Sequence, residues 1–334
     1  MSLIQSLIHE SHDYLRGGTQ KETYTRDDVE EVACPLCGAD EPERIYLEYD
    51  ILGICRCGRC DLIYTSPRLK APEAIYWGDA ADYLEEARLV FSGQRPHHRD
   101  PNYLEELRLV ERYRRPGRFL DVGCNMGMLL RLARERGWDA VGVEPSRSLG
   151  GLAREKLGLT VHEGFLEDFS PDSLGRFDVV AMSDVLEHVA RPLPLLRHAH
   201  RFLAEGGVLF VKVPNARWNL FKQRVSALGG RAPRQGIWDS YEHVVHYTSR
   251  TLRRMLETAG LETLCLTVGK PVQVPAWHRY VGQYYQYPSP WCLDWKRHAG
   301  RSACFWLSVP ERWLRGGRVG YLAPNLMAVA RLAA

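Results

Sequence analysis

The 334-residue chain has no apolar run long enough to span a bilayer, so nothing in it argues for an integral membrane protein. It also lacks a marked charge imbalance: 44 Lys and Arg stand against 41 Asp and Glu, for a formal net charge of +3. A balance that weak gives no reason to expect a nucleic-acid partner, although a local basic patch stays open. The opening MSLIQSLIHESHDYL has neither a basic start nor a small-residue cleavage site. It carries His9, Glu10 and His12 where a secretory leader would be apolar, so the expected compartment is the cytoplasm. Internal repeats and low-complexity segments are absent. An evenly spread disulfide framework is missing too, because five of the nine cysteines fall between Cys34 and Cys60. Clustering of this kind favours metal binding in a reducing compartment.

What is present suits a full α/β domain plus a smaller module. Residues 1–30 form a polar N-terminal segment with a short amphipathic stretch, Leu3–Leu15. In 31–70, Cys, Pro and Gly punctuate short β-like runs, and this region is expected to be the metal module. Residues 71–117 read as a helical connector or lid, with Leu104, Leu107, Val110 and Tyr113 at helical spacing. From Arg118 strand and helix alternate. Strands are expected at 118–122, 139–143, 159–162, 178–182, 207–213, 262–268 and 321–332, and helices at 127–136, 147–157, 191–203 and 249–259. Alternation of this kind predicts a mostly parallel, Rossmann-like sheet covered on both faces. Two insertions, 214–248 and 269–320, break the rhythm of the 118–334 domain and are expected to be functional or lid-like.

The most specific segment runs from Arg118 through Phe-Leu-Asp121-Val-Gly123-Cys124-Asn125-Met-Gly127. A short apolar strand ends in an acid, and glycines then allow a tight turn and close backbone approach to a ligand. A dinucleotide fingerprint needs G-x-G-x-x-G, but Asn125 takes the middle glycine position. Asp121 stands where it would repel a pyrophosphate; it can instead accept hydrogen bonds from the loop or pair with the α-ammonium group of a bound amino acid. Both departures favour an amino-acid-bearing nucleoside over NAD. The next strand ends in Glu144, followed by Pro145, and an acid there can accept both ribose hydroxyl protons.

The ordered set LDVGCNMG, VGVEPS, FDVVAMSDVLEHVARP and LAEGGVLFVKVPN resembles the class I S-adenosylmethionine (SAM)-dependent methyltransferases. That resemblance implies a seven-stranded sheet with an antiparallel last strand, and SAM as cofactor. It places Asp121, Gly123, Cys124, Asn125 and Gly127 in the cofactor loop and Glu144 and Pro145 at the ribose. Phe165 and Leu166 fall at the adenine-flanking positions, and Ser183 beside the methionine moiety.

Cys34-Pro-Leu-Cys37 and Cys57-Gly-Arg-Cys60 are two C-x-x-C knuckles that can place four thiolates around a structural zinc. Cys55 is a spare, and free thiols or a redox pair are the alternative reading. A four-Cys module ahead of a SAM domain is similar to the zinc-containing sugar C-methyltransferases and their relatives in surface-glycan and natural-product pathways. In that family a Glu-His pair after strand five is catalytic, which implies roles for Glu242 and His243. Tyr241 directly precedes Glu242, without the family's spacer residue, so the match supports the Glu-His pair better than the tyrosine.

A neutral His has the pKa range of a general base near pH 7, and an adjacent carboxylate can orient it or raise its pKa. His246 is an additional candidate, and capping or filling the loop core is the structural alternative for these histidines. Glu187-His188 is expected to be a structural, cofactor-side element, and His97 and His98 to be exposed. The stretch 270–320 is aromatic and basic, and reads as a lid, a peripheral membrane contact or a stacking surface. The expected acceptor is a small molecule, such as a sugar or a natural-product or surface-glycan intermediate, free or lipid-linked. The alternative is an RNA or protein methyltransferase that grips its substrate with the zinc module.

Overall fold

A computed structural model describes residues 25–70, 72, 81–94, 97, 99–228, 236–269, 281–282, 285–286, 306–316 and 319–333. The N-terminal part holds five short strands: β1 (Val29–Glu30), β2 (Pro42–Glu48), β3 (Leu52–Cys57), β4 (Ile63–Thr65) and β5 (Arg68–Leu69). Helices α1 (Ala81–Phe91) and α2 (Asp100–Val110) follow. Then β6 (Arg118–Val122), α3 (Met128–Glu135), β7 (Asp139–Glu144), α4 (Arg147–Leu157) and β8 (Thr160–Glu163) open the alternating domain. It continues with α5 (Pro171–Leu174), β9 (Phe177–Ser183), α6 (Pro192–Ala199), β10 (Leu203–Pro214) and α7 (Ala216–Leu228). After β11 (Val245–His246) come α8 (Ser249–Thr258), β12 (Leu261–Gly269), a small ladder of β13 (Val281–Gly282) with β14 (Tyr285–Gln286), and β15 (Asn325–Leu332). Residues 306–314 are helical.

The main sheet has seven strands in the order β12-β15-β10-β9-β6-β7-β8. Neighbours from β10 to β8 run parallel, while β15 is antiparallel to both β10 and β12, as expected for this fold class. Its central strands are apolar on both faces because both are covered. On β6 and β9, Leu120, Val180 and Met182 join one core, and Phe119, Val179 and Ala181 join the other. The first core includes residues of α6 and α8 and of the Cys-rich part, and the second includes residues of α1 to α4. Arg131 of α3 pairs with Asp100 of α2 at 2.6 Å, and both are buried. His97, expected at the surface, is buried as well, with its Nδ1 2.8 Å from Asp100.

In its described residues, 214–228 and 236–248, the stretch 214–248 is not an open loop. It contains α7, where Trp218, Phe221 and Val225 share one face and Leu220 lies on the opposite one. It also supplies β11, which pairs antiparallel with β4 and completes a small sheet of order β11-β4-β3-β2. Residues 1–24, and most of 270–305, lie outside the described residues, including Trp277, Tyr280 and Trp291. Among the described residues no helix is long and apolar enough to cross a membrane.

Candidate active site and metal centre

The turn after β6 has three positive φ angles, at Gly123 (+70°), Asn125 (+52°) and Gly127 (+81°). At Gly127 a Cβ would stand 2.6 Å from Leu159 Cδ1 and 2.9 Å from Ala153 Cβ, so only glycine fits at this helix start. The turn is pinned to β7. The amides of Gly123 and Cys124 donate to Val143 O, and the Asn125 amide donates to Glu144 Oε2 at 2.7 Å. Glu144 Oε1 accepts from the Ser146 amide at 2.9 Å, while Asn125 Oδ1 accepts from the Met126 amide. Glu144 is therefore anchor as well as acid, and its two oxygens are aimed by backbone donors. Burial raises its pKa, against the two amides that lower it.

Asp121 is buried 3% exposed beneath the turn. Burial pushes its carboxyl well up, and the negative charges of Glu106 and Glu144 add to the rise. Ser183, at the end of β9, donates to Glu106 Oε2 at 2.7 Å. Arg99 opposes the rise at Asp121 and Lys212 lies 3.5 Å from Glu106, so the acids are partly compensated by the protein's own cations. Of the other loop residues, Cys124 turns inward, since a Cβ on Gly142 would meet its Sγ at 2.5 Å. Leu166 is buried in the core, while Phe165 and Pro145 are half-buried.

Beyond Ser183 the loop carries a second polar group. Lys212 of β10 is buried and lies 2.6 Å from Asp184 and 3.5 Å from Glu106, and Arg99 also pairs with Asp184. Burial, with the Arg99 charge, lowers Lys212 to about 8. Glu187 is 2% exposed, and neither carboxylate oxygen has a hydrogen-bond partner. Burial raises it to about 7. His188 packs edge-on against His243 with ring centroids 4.7 Å apart. Ligand-type atoms of Glu187, His188 and His243 all lie within 4.8 Å of one another.

His243 belongs to a segment held from two sides. Val244 and Val245 amides donate to Glu187 O at 2.8 and 3.1 Å. On the other side, Thr65 Oγ1 donates to His243 O at 3.0 Å, and the Thr65 amide to Val244 O. Glu48 of β2 accepts from the Trp238 amide at 2.8 Å, the Ser240 amide at 3.1 Å and the Ser240 hydroxyl at 2.6 Å. The Cys-rich part thus shapes the loop that presents Glu242 and His243, both half-buried. The expected lift from a carboxylate neighbour is outweighed: burial, with the Lys222 charge, lowers His243 to about 4, so its ring is neutral at pH 7. His246 is placed elsewhere. It is buried in the small sheet, with Nε2 3.3 Å from Thr65 Oγ1 and its ring against Trp238. Glu187 and His188, expected to be framework, are brought together with His243 only by a long-range contact.

The four knuckle cysteines come together. Cys34 and Cys60 sulfurs are 3.4 Å apart, Cys37 and Cys57 sulfurs 3.6 Å, and all four ligand atoms lie within 4.8 Å of one another. Sulfurs tetrahedrally bound at about 2.3 Å would stand about 3.8 Å apart, so the donor set fits one ion. Amides of Leu36 and Cys37 face Cys34, and those of Ala39 and Leu62 face Cys37 and Cys60, as thiolates require. Burial raises Cys34 to about 11 and raises Cys60 further, while at Cys37 the Ala39 amide and the neighbouring thiols outweigh burial and lower it. The spare, Cys55, is buried and donates to Ser66 O at 3.1 Å.

Residues 97–266, about half of the chain, match a family model described as a methyltransferase domain. A protein of Methylococcus capsulatus named ubiquinone biosynthesis O-methyltransferase is 35% identical over 101 residues, covering 29% of this chain and 43% of that protein. One of the same name from Aromatoleum aromaticum is 28% identical over 157 residues, covering 44% of this chain and 64% of that protein. The chain thus spans about half the length of the curated relatives it matches. Among solved structures, a plantazolicin methyltransferase in complex with SAH and a pentazolic analogue aligns with a TM-score of 0.47 and 14% identity, over 79% of this chain and 95% of that one.

Proposed function

The chain belongs to the methyltransferase-domain family, and from that premise we propose that it transfers the methyl group of SAM to a small-molecule acceptor. The observation that carries this reading is the glycine turn over buried Asp121, whose Asn125 amide is held by Glu144 and whose Gly123 and Cys124 amides are held by Val143 O. SAM is a nucleoside that brings both an α-ammonium and a sulfonium charge, which matches that buried acid. In this reading Asp121 faces the ammonium end and Glu144 the ribose. Gly123, Asn125 and Gly127 shape the turn, with Cys124 packed beneath it. Pro145, Phe165 and Leu166 border the adenine, and Ser183 lies beside the methionine. When bound, SAM supplies the methyl group.

The acceptor is read into the cleft formed by the loop after β9 and the 239–246 segment, at the carboxyl end of the sheet where such folds hold ligands. Methyl transfer needs the acceptor atom aligned about 3 Å from the methyl carbon, and often a group to take its proton. His243 is the proposed proton acceptor, with Glu242 beside it; His246 holds the segment to the small sheet. Of the acceptor classes, we favour a sugar or another natural-product or surface-glycan intermediate. The name carried by the O-methyltransferase relatives fits a small acceptor too.

Cys34, Cys37, Cys57 and Cys60 would hold a structural zinc, whose task is to fix β3, β4 and through them the His243 segment. We retain the division into 1–30, 31–70, 71–117 and 118–334, with β11 of the last completing the sheet of the second. A membrane-contact role for 270–320 is supported by exposed Trp306, Leu307, Val309, Trp313 and Leu314 on the helical stretch 306–314. Incubation with labelled SAM and size-fractionated extract of the producing cell tests the function. Label in the small-molecule fraction is expected; label in RNA or protein instead refutes the acceptor class.

A further inference from the structure

We propose that Glu187, His188 and His243 form a second metal site, for a first-row divalent cation bound in the acceptor cleft. Glu187 is the first ground. Both of its oxygens are buried without a hydrogen-bond partner, whereas Asp184 is paired with Lys212 and Glu106 has one of its two oxygens bonded to Ser183. A buried carboxylate in that state calls for a cation. Lys212 and Arg99 are near it, but both are engaged by Asp184.

The second ground is the orientation of His188. Its Nδ1 lies 3.1 Å from Glu242 O, a carbonyl that can only accept. The proton is therefore on Nδ1, and Nε2, which then carries the lone pair, lies 3.9 Å from Glu187 Oε1. A backbone carbonyl fixing the tautomer behind the ligating nitrogen is how metal-bound imidazoles are held. Ligand atoms bonded to one ion at about 2.1 Å stand about 3.0 to 4.2 Å apart. The His188–Glu187 separation lies in that span, and the widest pair, within 4.8 Å, would close by about 0.6 Å for ligands opposite each other and by about 1.4 Å for ligands at a tetrahedral angle.

The third ground is rigidity. Glu187 O accepts the amides of Val244 and Val245, so the loop bearing the first two ligands is bonded to the segment bearing the third. Two imidazoles and a carboxylate select a metal of the manganese-to-zinc row over magnesium or calcium. Three protein ligands leave open positions, the mark of a site that takes substrate. This inference rests on the cleft being the acceptor site, and it assigns an oxygen acceptor. A hydroxyl bound to the ion loses its proton to solvent more readily. The oxygen lone pair then forms the new O–CH3 bond as the sulfonium C–S bond breaks and leaves its electron pair on sulfur. With the ion bound, His243 is a ligand and the ion activates the acceptor; the proton-acceptor role of His243 belongs to the ion-free protein.

The test is Co2+ titration of the purified full-length protein with the four-Cys module already zinc-loaded, read by visible absorption and calorimetry. One further equivalent of cobalt is expected, with nitrogen and oxygen ligation and no sulfur-to-cobalt charge transfer. Glu187→Gln and His188→Ala should each weaken it at least tenfold. Absence of uptake by the unaltered protein overturns the site, and so does thiolate charge transfer in its spectrum or uptake that both variants leave unchanged. SAM binding measured on the same samples separates failure of this site from failure of the cofactor reading.

Discussion

Replacing Glu48 by glutamine should loosen the His243 segment while leaving the cofactor turn intact. The carboxylate is fully buried and accepts three hydrogen bonds from Trp238 and Ser240. Glutamine keeps one acceptor oxygen, so the Trp238 contact survives. Its amide NH2 then opposes the Ser240 N–H, and that donor is left buried without a partner. A hydrogen bond to a charged group contributes about 1.5–3 kcal/mol, and an orphaned buried donor costs about 1–3 kcal/mol. A local loss of about 3 kcal/mol follows, which is roughly a hundredfold rise in opening of the segment. Native-state hydrogen exchange reads this at the amides of Val244, Val245 and Thr65, which bond across the segment. Amides in the β9–β10 ladder serve as the internal control. Protection at Val244 and Val245 within twofold of the unaltered protein would refute the view that the small sheet positions His243.

The remaining expectations are more local. Gly127→Ala forces a Cβ against Leu159 and Ala153 at a left-handed position and should destabilise by about 1–3 kcal/mol, visible as an earlier thermal transition; an unchanged melting curve contradicts the packing argument. Protein from zinc-replete cells should carry about one zinc in the four-Cys site, and less than about half an equivalent argues against it. His243→Ala should abolish transfer with SAM affinity near normal, under proton abstraction or metal ligation alike, and retained turnover removes His243 from the mechanism.

The main sheet was legible because its strands carry continuous apolar runs bounded by turn residues, and the cofactor turn because its glycines and acids stand next to one another in sequence. The four cysteines were legible for the same reason. Elements whose partners are remote were not. Glu48 looks like one more acid in a polar strand, and its partners Trp238 and Ser240 lie far along the chain. Glu187 and His188 carry no local sign that His243 will close on them. His97 has an exposed residue's sequence context, yet it is buried by the Asp100–Arg131 pair between α2 and α3. β11 is two residues long, too short for any period, and exists only because β4 is there to pair with it.

Equilibrium binding to the purified protein tests the central claim, that the turn at Asp121–Gly127 and the acid at Glu144 hold SAM. The account predicts saturable SAM binding, much weaker NAD binding, and a loss of roughly ten- to a hundredfold in SAM affinity in Glu144→Gln, the equivalent of about 1.5–3 kcal/mol for hydrogen bonds to a charged group. No SAM binding, or tighter binding of NAD, would contradict it.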